Sequence, residues 1–130
     1  MGRPIVTDEI NEVSNRVIGA AIEVHKILGP GFLESMYEEA LIQELVLRGL
    51  HVERQKKIEV RYKGFYIGEG RLDLLIEDQL IVELKAVESL LPLHSVQVLS
   101  YLKTLNLPLG LLINFNVIML KHGIKRIILT

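Results

Sequence analysis

The sequence predicts an α/β fold, a mixed β-sheet flanked by helices. Three features of its patterning carry that reading. Apolar residues recur every three or four positions in two N-terminal stretches and again after Pro92. Between them, from His51 to Lys85, the period is two. After the third helical stretch comes a nearly unbroken aliphatic run, Leu109–Phe115, followed by a shorter one, Ile124–Leu129. The expected order is α-α-β-β-β-β-α-β-β. Helices on either side of such strands must bury their apolar faces against the sheet, which makes a layered sandwich.

Composition narrows the function classes. At 130 residues the chain is expected to form one domain, residues 1–130. It has no cysteine, which excludes a disulfide framework, thiol catalysis and a thiolate zinc site. It has no tryptophan, so the core falls to Leu, Ile and Val. The chain turns polar by residue seven, and no apolar run approaches the ~18 residues of a membrane span, so a cytoplasmic setting and no membrane partner are expected. The net charge of −1 argues against a broad surface that coats duplex nucleic acid, but leaves room for a local basic groove.

Residues 1–6 read as a lead-in. Thr7 is a helix N-cap, with Asp8 and Glu9 in the first turn where the helix dipole favours acid. Ile10, Val13, Val17, Ala20, Ala21, Val24 and Leu28 mark the buried stripe, and Gly29-Pro30-Gly31 stops the helix. His25 fits a buttress or dipole partner in the last turns better than a metal ligand. The second helix should run from about Phe32 to Arg48, with Gly49 ending it. Glu34 stands in its first turn, where a helix N-terminus keeps a carboxylate charged. Tyr37, three residues on, is placed to hydrogen-bond Glu34.

Two strands, Val52–Tyr62 and Phe65–Ile67, are expected around a Lys63-Gly64 turn, with Gly68-Glu69-Gly70 loosening the backbone before the next hairpin as a bulge. The basic run Glu53–Lys57 reads as a solvated strand edge protected by lysine, slightly ahead of a nucleic-acid contact. Pro92 suits the first turn of a third helix ending near Leu105. Leu93, Val96, Leu99, Leu102 and Leu105 make its apolar side, and His94, Gln97 and Tyr101 a polar stripe.

The stretch Arg71–Ala86 holds the chemistry. It reads as two apolar strands, the first interrupted by Asp73 and the second by Glu83, with Lys85 two residues later on the same face. Pairing 73 with 83 leaves Glu77-Asp78-Gln79 as a three-residue hairpin loop. Two carboxylates one strand spacing apart repel unless a cation lies between them, and Mg²⁺ or Mn²⁺ suits carboxylate and carbonyl ligands. The Leu84 carbonyl is a further candidate ligand. A metal, a positioned water and the Lys85 ammonium are the parts that phosphodiester hydrolysis needs. The D-x9-E-x-K spacing alone fits equally a pair of strands in which Lys85 neutralises two surface acids.

The segment from Gly31 through Glu34 to Tyr37 matches the pattern G-x-x-E-x-x-Y. Together with HKILGPGFLESMYEEAL, RLDLLIEDQLIVELKAVE and GLLINFN, it resembles the GxxExxY family of small proteins, and the likeness runs from about Thr7 to Ile128. That family is placed in the PD-(D/E)-x-K nuclease-like superfamily. The resemblance implies a restriction-endonuclease-like core, with Asp73, Glu83 and Lys85 at the three positions that name the superfamily. It implies Glu34 at an additional acidic position on an early helix. Gln97 and Tyr101 are similar to the Q-x-x-x-Y helix motif of RecB-like nucleases.

The expectation is a Mg²⁺- or Mn²⁺-dependent nuclease acting on nucleic acid, DNA first. Asp73, Glu83, Leu84 and Glu34 hold the metal, Lys85 orients water, and Gln97 and Tyr101 contact phosphate. The alternatives are a non-catalytic nucleic-acid-binding or assembly module on the same fold, and a homo-oligomer or subunit of a larger system. In the last reading, strand Leu109–Phe115 and the terminal strand supply the interface.

Overall fold

The computed structural model describes residues 2–130; Met1 of the expected lead-in lies outside them. Helix α1 (Asp8–Leu28) begins where the Ile10 amide donates to Thr7 Oγ1, at 3.2 Å. Helix α2 (Glu34–Leu47) ends in a Schellman motif: Gly49 N–H donates to Val46 O and Leu50 N–H to Leu45 O, with Gly49 at φ 79°. Strands β1 (Val52–Tyr62), β2 (Phe65–Ile76) and β3 (Leu80–Lys85) follow, then helix α3 (Pro92–Leu105), β4 (Leu109–Asn114), a 3₁₀ turn (Leu120–Gly123) and β5 (Ile124–Ile128).

The five strands lie in chain order in one sheet, and every neighbouring pair is antiparallel except β3–β4. That parallel step requires a crossover, which α3 supplies. One face of the sheet packs Leu74, Ile76, Val82, Leu84 and Ile113 against α1 and α2. The other packs Leu75, Ile81 and Leu112 against Val98 and Leu102 of α3. The fold class is the expected one, a mixed sheet flanked by helices.

Three expectations need correction. Phe65–Ile67 and the first strand of the hairpin are a single strand, β2, so the order is α-α-β-β-β-α-β-β. The glycines do not break it. Gly68 (φ 150°) adjoins a bulge at Ile67, opposite the Val60–Arg61 step. Gly70 lets β2 pass close beneath its neighbours: a Cβ there would stand 3.2 Å from both Ile58 and Tyr101. Second, the buried side of α3 is rotated from the expected stripe. Val98 and Leu102 are buried, while Leu93 and Val96 are exposed. Gly110 on β4 sets this, since its missing side chain leaves the space that Val98 fills. Third, the aliphatic run Leu109–Phe115 is buried on both faces at the centre of the sheet, so it offers no interface; the sheet edges are β1 and β5.

A Cβ at Gly110 would lie 2.8 Å from Val98 Cγ1 and 3.4 Å from the Ile81 carbonyl oxygen. Valine is stiff and the carbonyl fixed, so Gly110→Ala should destabilise the protein by about 1–3 kcal/mol through overpacking. A urea titration read by circular dichroism checks this; an unchanged midpoint would show that α3 is not seated on β4 as described.

Candidate active site at the fork between two strands

Only the last three residues of β2, Leu74–Ile76, pair with β3. The loop between them is the expected Glu77-Asp78-Gln79, with Glu77 and Asp78 at positive φ. Beyond Leu74↔Val82 the strands part: β2 continues beside β1 and β3 beside β4. At the parting point the side chains of Asp73 and Glu83 replace the missing ladder partners. Asp73 N–H donates to Glu83 Oε1 at 3.0 Å, and Leu84 N–H donates to Asp73 Oδ2 at 2.8 Å. Each carboxylate thus holds the other strand's backbone, and Asp73 Oδ1 and Glu83 Oε2 are left without an amide donor.

The fork also interrupts β2's alternation. Gln55, the residue opposite Asp73, adopts φ 49° and drops out of the β1–β2 ladder. Leu72 and Leu74, two positions apart, consequently enter opposite core layers. Strand alternation would place them on one face.

Glu83 is only 4% exposed. Burial first, and the neighbouring Asp73 charge second, push its carboxyl up to about 9. Glu34, the first residue of α2, reaches the same place from the other side: partial desolvation of its carboxyl and then the Asp73 charge raise it, while Lys85 lowers it. Lys85 likewise lowers Glu83. It makes no direct ion pair among the described residues. The neutralising salt bridge that the spacing also allowed is therefore not formed. Glu34, Asp73, Glu83 and Lys85 act on one another electrostatically, with negative charge in excess. Their oxygens are of the class that hard divalent cations take, but the three acids are not drawn within 4.8 Å of one another as the ligand atoms of His51, Glu53 and Asp78 are.

Gln97 and Tyr101 are bonded to each other, Gln97 Nε2 donating to Tyr101 Oη at 3.3 Å. Tyr101 lies over Gly70 of β2, three residues before Asp73. Neither is hydrogen-bonded to Asp73, Glu83 or Lys85. His94, the third member of that stripe, is engaged as a cap: Leu91 N–H donates to its Nδ1 at 3.0 Å.

Tyr37 does not bond Glu34. Its ring is fully buried and stacks on Phe115 at 4.6 Å, while its hydroxyl donates to Gly29 O and accepts from Phe32 N–H. Helical spacing put the two residues on one side, but the larger apolar area of the tyrosine draws it into the core, where it braces the turn that presents Glu34. His25 is a buttress, bonded through Nε2 to Val117 O at 2.7 Å.

Two features escaped sequence reasoning. Asn114, buried at the end of β4 opposite Lys85, accepts from Val87 N–H and donates to Val87 O. It fixes the chain that leaves Lys85, and nothing in an aliphatic run marks an asparagine for that task. The second is a cluster of His51, Glu53 and Asp78 at the hairpin turn, each able to offer one ligand atom within 4.8 Å of the others. Pairing of β1 with β2 assembles it from residues far apart in sequence. Its acids already interact: Lys56 is 2.9 Å from Glu53 and, with Asp78, holds it below the usual carboxylate range.

The sequence profile of the PD-(D/E)XK nuclease superfamily matches residues 11–127. The chain belongs to that superfamily. Comparison with curated proteins and with solved structures gives no match. Membership in the PD-(D/E)XK nuclease superfamily points to divalent-metal nuclease chemistry on nucleic acid. The fork is one of two places where this chain gathers acids and a lysine, the other being His51, Glu53 and Asp78 with Lys56. Among the described residues no helix is long and apolar enough to cross a membrane.

A carboxyl whose folded pKa lies above its unfolded value binds its proton more tightly in the folded protein. The stability it contributes is full below pH 4.5 and is lost as pH rises towards about 9. Metal-free protein should therefore melt lower at pH 8 than at pH 5. Glu83→Gln, which cannot ionise, should lose less over that range, with a difference on the order of 1–3 kcal/mol. Thermal melts in EDTA check this, and parallel pH profiles for the two proteins would contradict the buried-charge description.

Proposed function

We propose that the protein is a Mg²⁺- or Mn²⁺-dependent nuclease that hydrolyses phosphodiester bonds of nucleic acid, with DNA the substrate, in a cytoplasmic setting. The observation that carries this reading is the pair of carboxylates at the fork. They are held within one hydrogen-bond network, one of them buried, in a chain of the PD-(D/E)XK nuclease superfamily. Within that superfamily we assign the chain to the GxxExxY family, on its Gly31-x-x-Glu34-x-x-Tyr37 segment.

Asp73 and Glu83 hold the metal, with Glu34 and the Leu84 carbonyl completing its shell. Support for Leu84 comes from its amide, which bonds Asp73: a strand residue's N–H and C=O face the same neighbour, so its carbonyl also looks into the fork. The bound ion supplies Lewis-acid stabilisation of the phosphoryl oxygens and an acidified water. Lys85 orients that water and offsets charge developing on the phosphoryl group. Gln97 and Tyr101, paired on α3 and free of bonds to the acids, contact the scissile phosphate. Burial first and the Asp73 charge second raise the Glu83 carboxyl, so a cation held there would compete with its proton, and affinity for Mg²⁺ or Mn²⁺ should rise with pH.

The test is a cleavage assay on single- and double-stranded DNA and RNA with Mg²⁺ or Mn²⁺. Wild-type protein should cleave DNA, and Lys85→Ala should lower the rate by about 10²-fold or more while melting within a few degrees of wild type. Metal-dependent cleavage that persists in purified Lys85→Ala would remove Lys85 from its role. Salt-sensitive binding without metal or cleavage would favour the non-catalytic module. The homo-oligomer reading falls to edge strands β1 and β5, and light scattering across micromolar concentrations decides it.

A further inference from the structure

The β1–β2 ribbon runs well past the sheet. At its far end Lys63 and Gly64 close it in a type I′ turn, with φ 49° and 83°. Every residue from Arg61 to Ile67 is exposed. Of the chain's four tyrosines and three phenylalanines, Tyr62, Phe65 and Tyr66 stand within this segment. Tyr62 is 60%, Phe65 73% and Tyr66 54% exposed. No core contact accounts for aromatics so placed.

Their arrangement is specific. Tyr62 and Phe65 are cross-strand partners, so their side chains leave the same face of the ribbon. Residues 58, 60 and 62 share a face because the irregularity lies on β2, at Ile67. Ile58 belongs to the cluster beneath α3, against which Tyr101 packs. Ile81 belongs to it too, and Glu83 is two residues further along the same strand. The aromatic pair therefore looks out from the side of the sheet that carries Tyr101 and Glu83. Phe65 lies about 26 Å along β2 from Asp73, at ~3.3 Å per residue.

The charge is complementary to phosphate. Between residues 56 and 71 the chain carries Lys56, Lys57, Arg61, Lys63 and Arg71 against Glu59 and Glu69, whereas the whole protein is at −1. Lys57, Lys63 and Arg71 make no ion pair among the described residues. Lys57 and Arg71 are cross-strand partners on the opposite face, which leaves Lys63, in the turn, as the cation beside the rings. Lys63 Nζ lies 5.5 Å from the centre of the Tyr62 ring. Aromatic rings with flanking cations are the parts of a platform for an unpaired strand: bases stack on the rings and cations follow the phosphates.

We propose that the tip of the β1–β2 ribbon binds single-stranded nucleic acid, its bases stacking on Tyr62 and Phe65 and its phosphates meeting Lys63, and leads that strand toward the fork. This deepens the nuclease reading and rests on it for the strand's destination.

The experiment is fluorescence anisotropy of a labelled 20-nucleotide oligothymidylate and of a 20-base-pair duplex with the full chain in EDTA. The wild type should favour the single strand. Tyr62→Leu/Phe65→Leu keeps apolar area at two exposed sites and should weaken single-strand binding at least tenfold while leaving the duplex within twofold. Lys63→Gln should lower the slope of log affinity against log salt by about 0.7. A readout without substitutions accompanies these: the chain has no tryptophan, so its emission comes from tyrosine, and oligothymidylate should quench it.

Equal affinity for the two forms, wild-type affinity in the leucine variant, or unquenched emission would overturn the proposal. So would a wild-type dimer in sedimentation that the leucine variant dissociates, because the tip would then serve a second copy of the chain. The two readings fail separately. A wild type that binds through the tip but cleaves nothing with Mg²⁺ or Mn²⁺ overturns the nuclease reading alone. A wild type that cleaves, with unchanged single-strand binding in the leucine variant, overturns the tip alone.

Discussion

Where β2 leaves β3, two backbone amides lose their ladder partners, and the side chains of Asp73 and Glu83 take them. A buried amide without an acceptor costs about 1–3 kcal/mol, so the fork needs polar side chains to exist at all. Carboxylates meet that need at the expense of burying a charge and, second, of mutual repulsion, both visible in the raised Glu83. The same constraint holds the fold open and concentrates negative charge in one place. The sheet beyond the fork depends on it, with β2 free to extend as a ribbon and β3 free to run parallel to β4.

The surrounding elements hold that arrangement rigid. Tyr37 and Phe115 stack in the core beneath the turn that presents Glu34. Asn114 anchors the chain that leaves Lys85. Gly110 seats α3, the helix that carries Gln97 and Tyr101, directly on the parallel pair. Each acts through packing or backbone hydrogen bonds, so each is a positioning residue.

Much of this was legible in the sequence because local chemistry and tertiary structure agree. Thr7 caps α1, Gly49 ends α2, Pro92 opens α3 at the expected residue, and the register that sets 73 opposite 83 gives the observed loop, although the ladder itself stops at Leu74↔Val82. What was illegible depends on long-range neighbours. The bulge beside Gly68 was legible, but not that one strand runs on through Gly70, since a sequence does not show the Ile58 and Tyr101 side chains that make glycine suit the strand. The α3 stripe was rotated because Gly110, on another element, decides which valine is buried. Tyr37 was assigned to Glu34 by spacing, which weighs neither partner's burial. The cluster His51–Glu53–Asp78 has no motif, being made by strand pairing alone.

That second cluster matters for any metal measurement, because it also gathers acids. Calorimetric titration of Mg²⁺ and Mn²⁺ into the wild type, an Asp73→Asn/Glu83→Gln variant and a Glu53→Gln/Asp78→Asn variant, each with and without a short oligonucleotide, separates the two sites. Binding that disappears in the first variant and survives in the second is the predicted result and places the ion at the fork. Binding that survives loss of Asp73 and Glu83, or that is absent from all three proteins even with oligonucleotide present, would contradict a metal centre there.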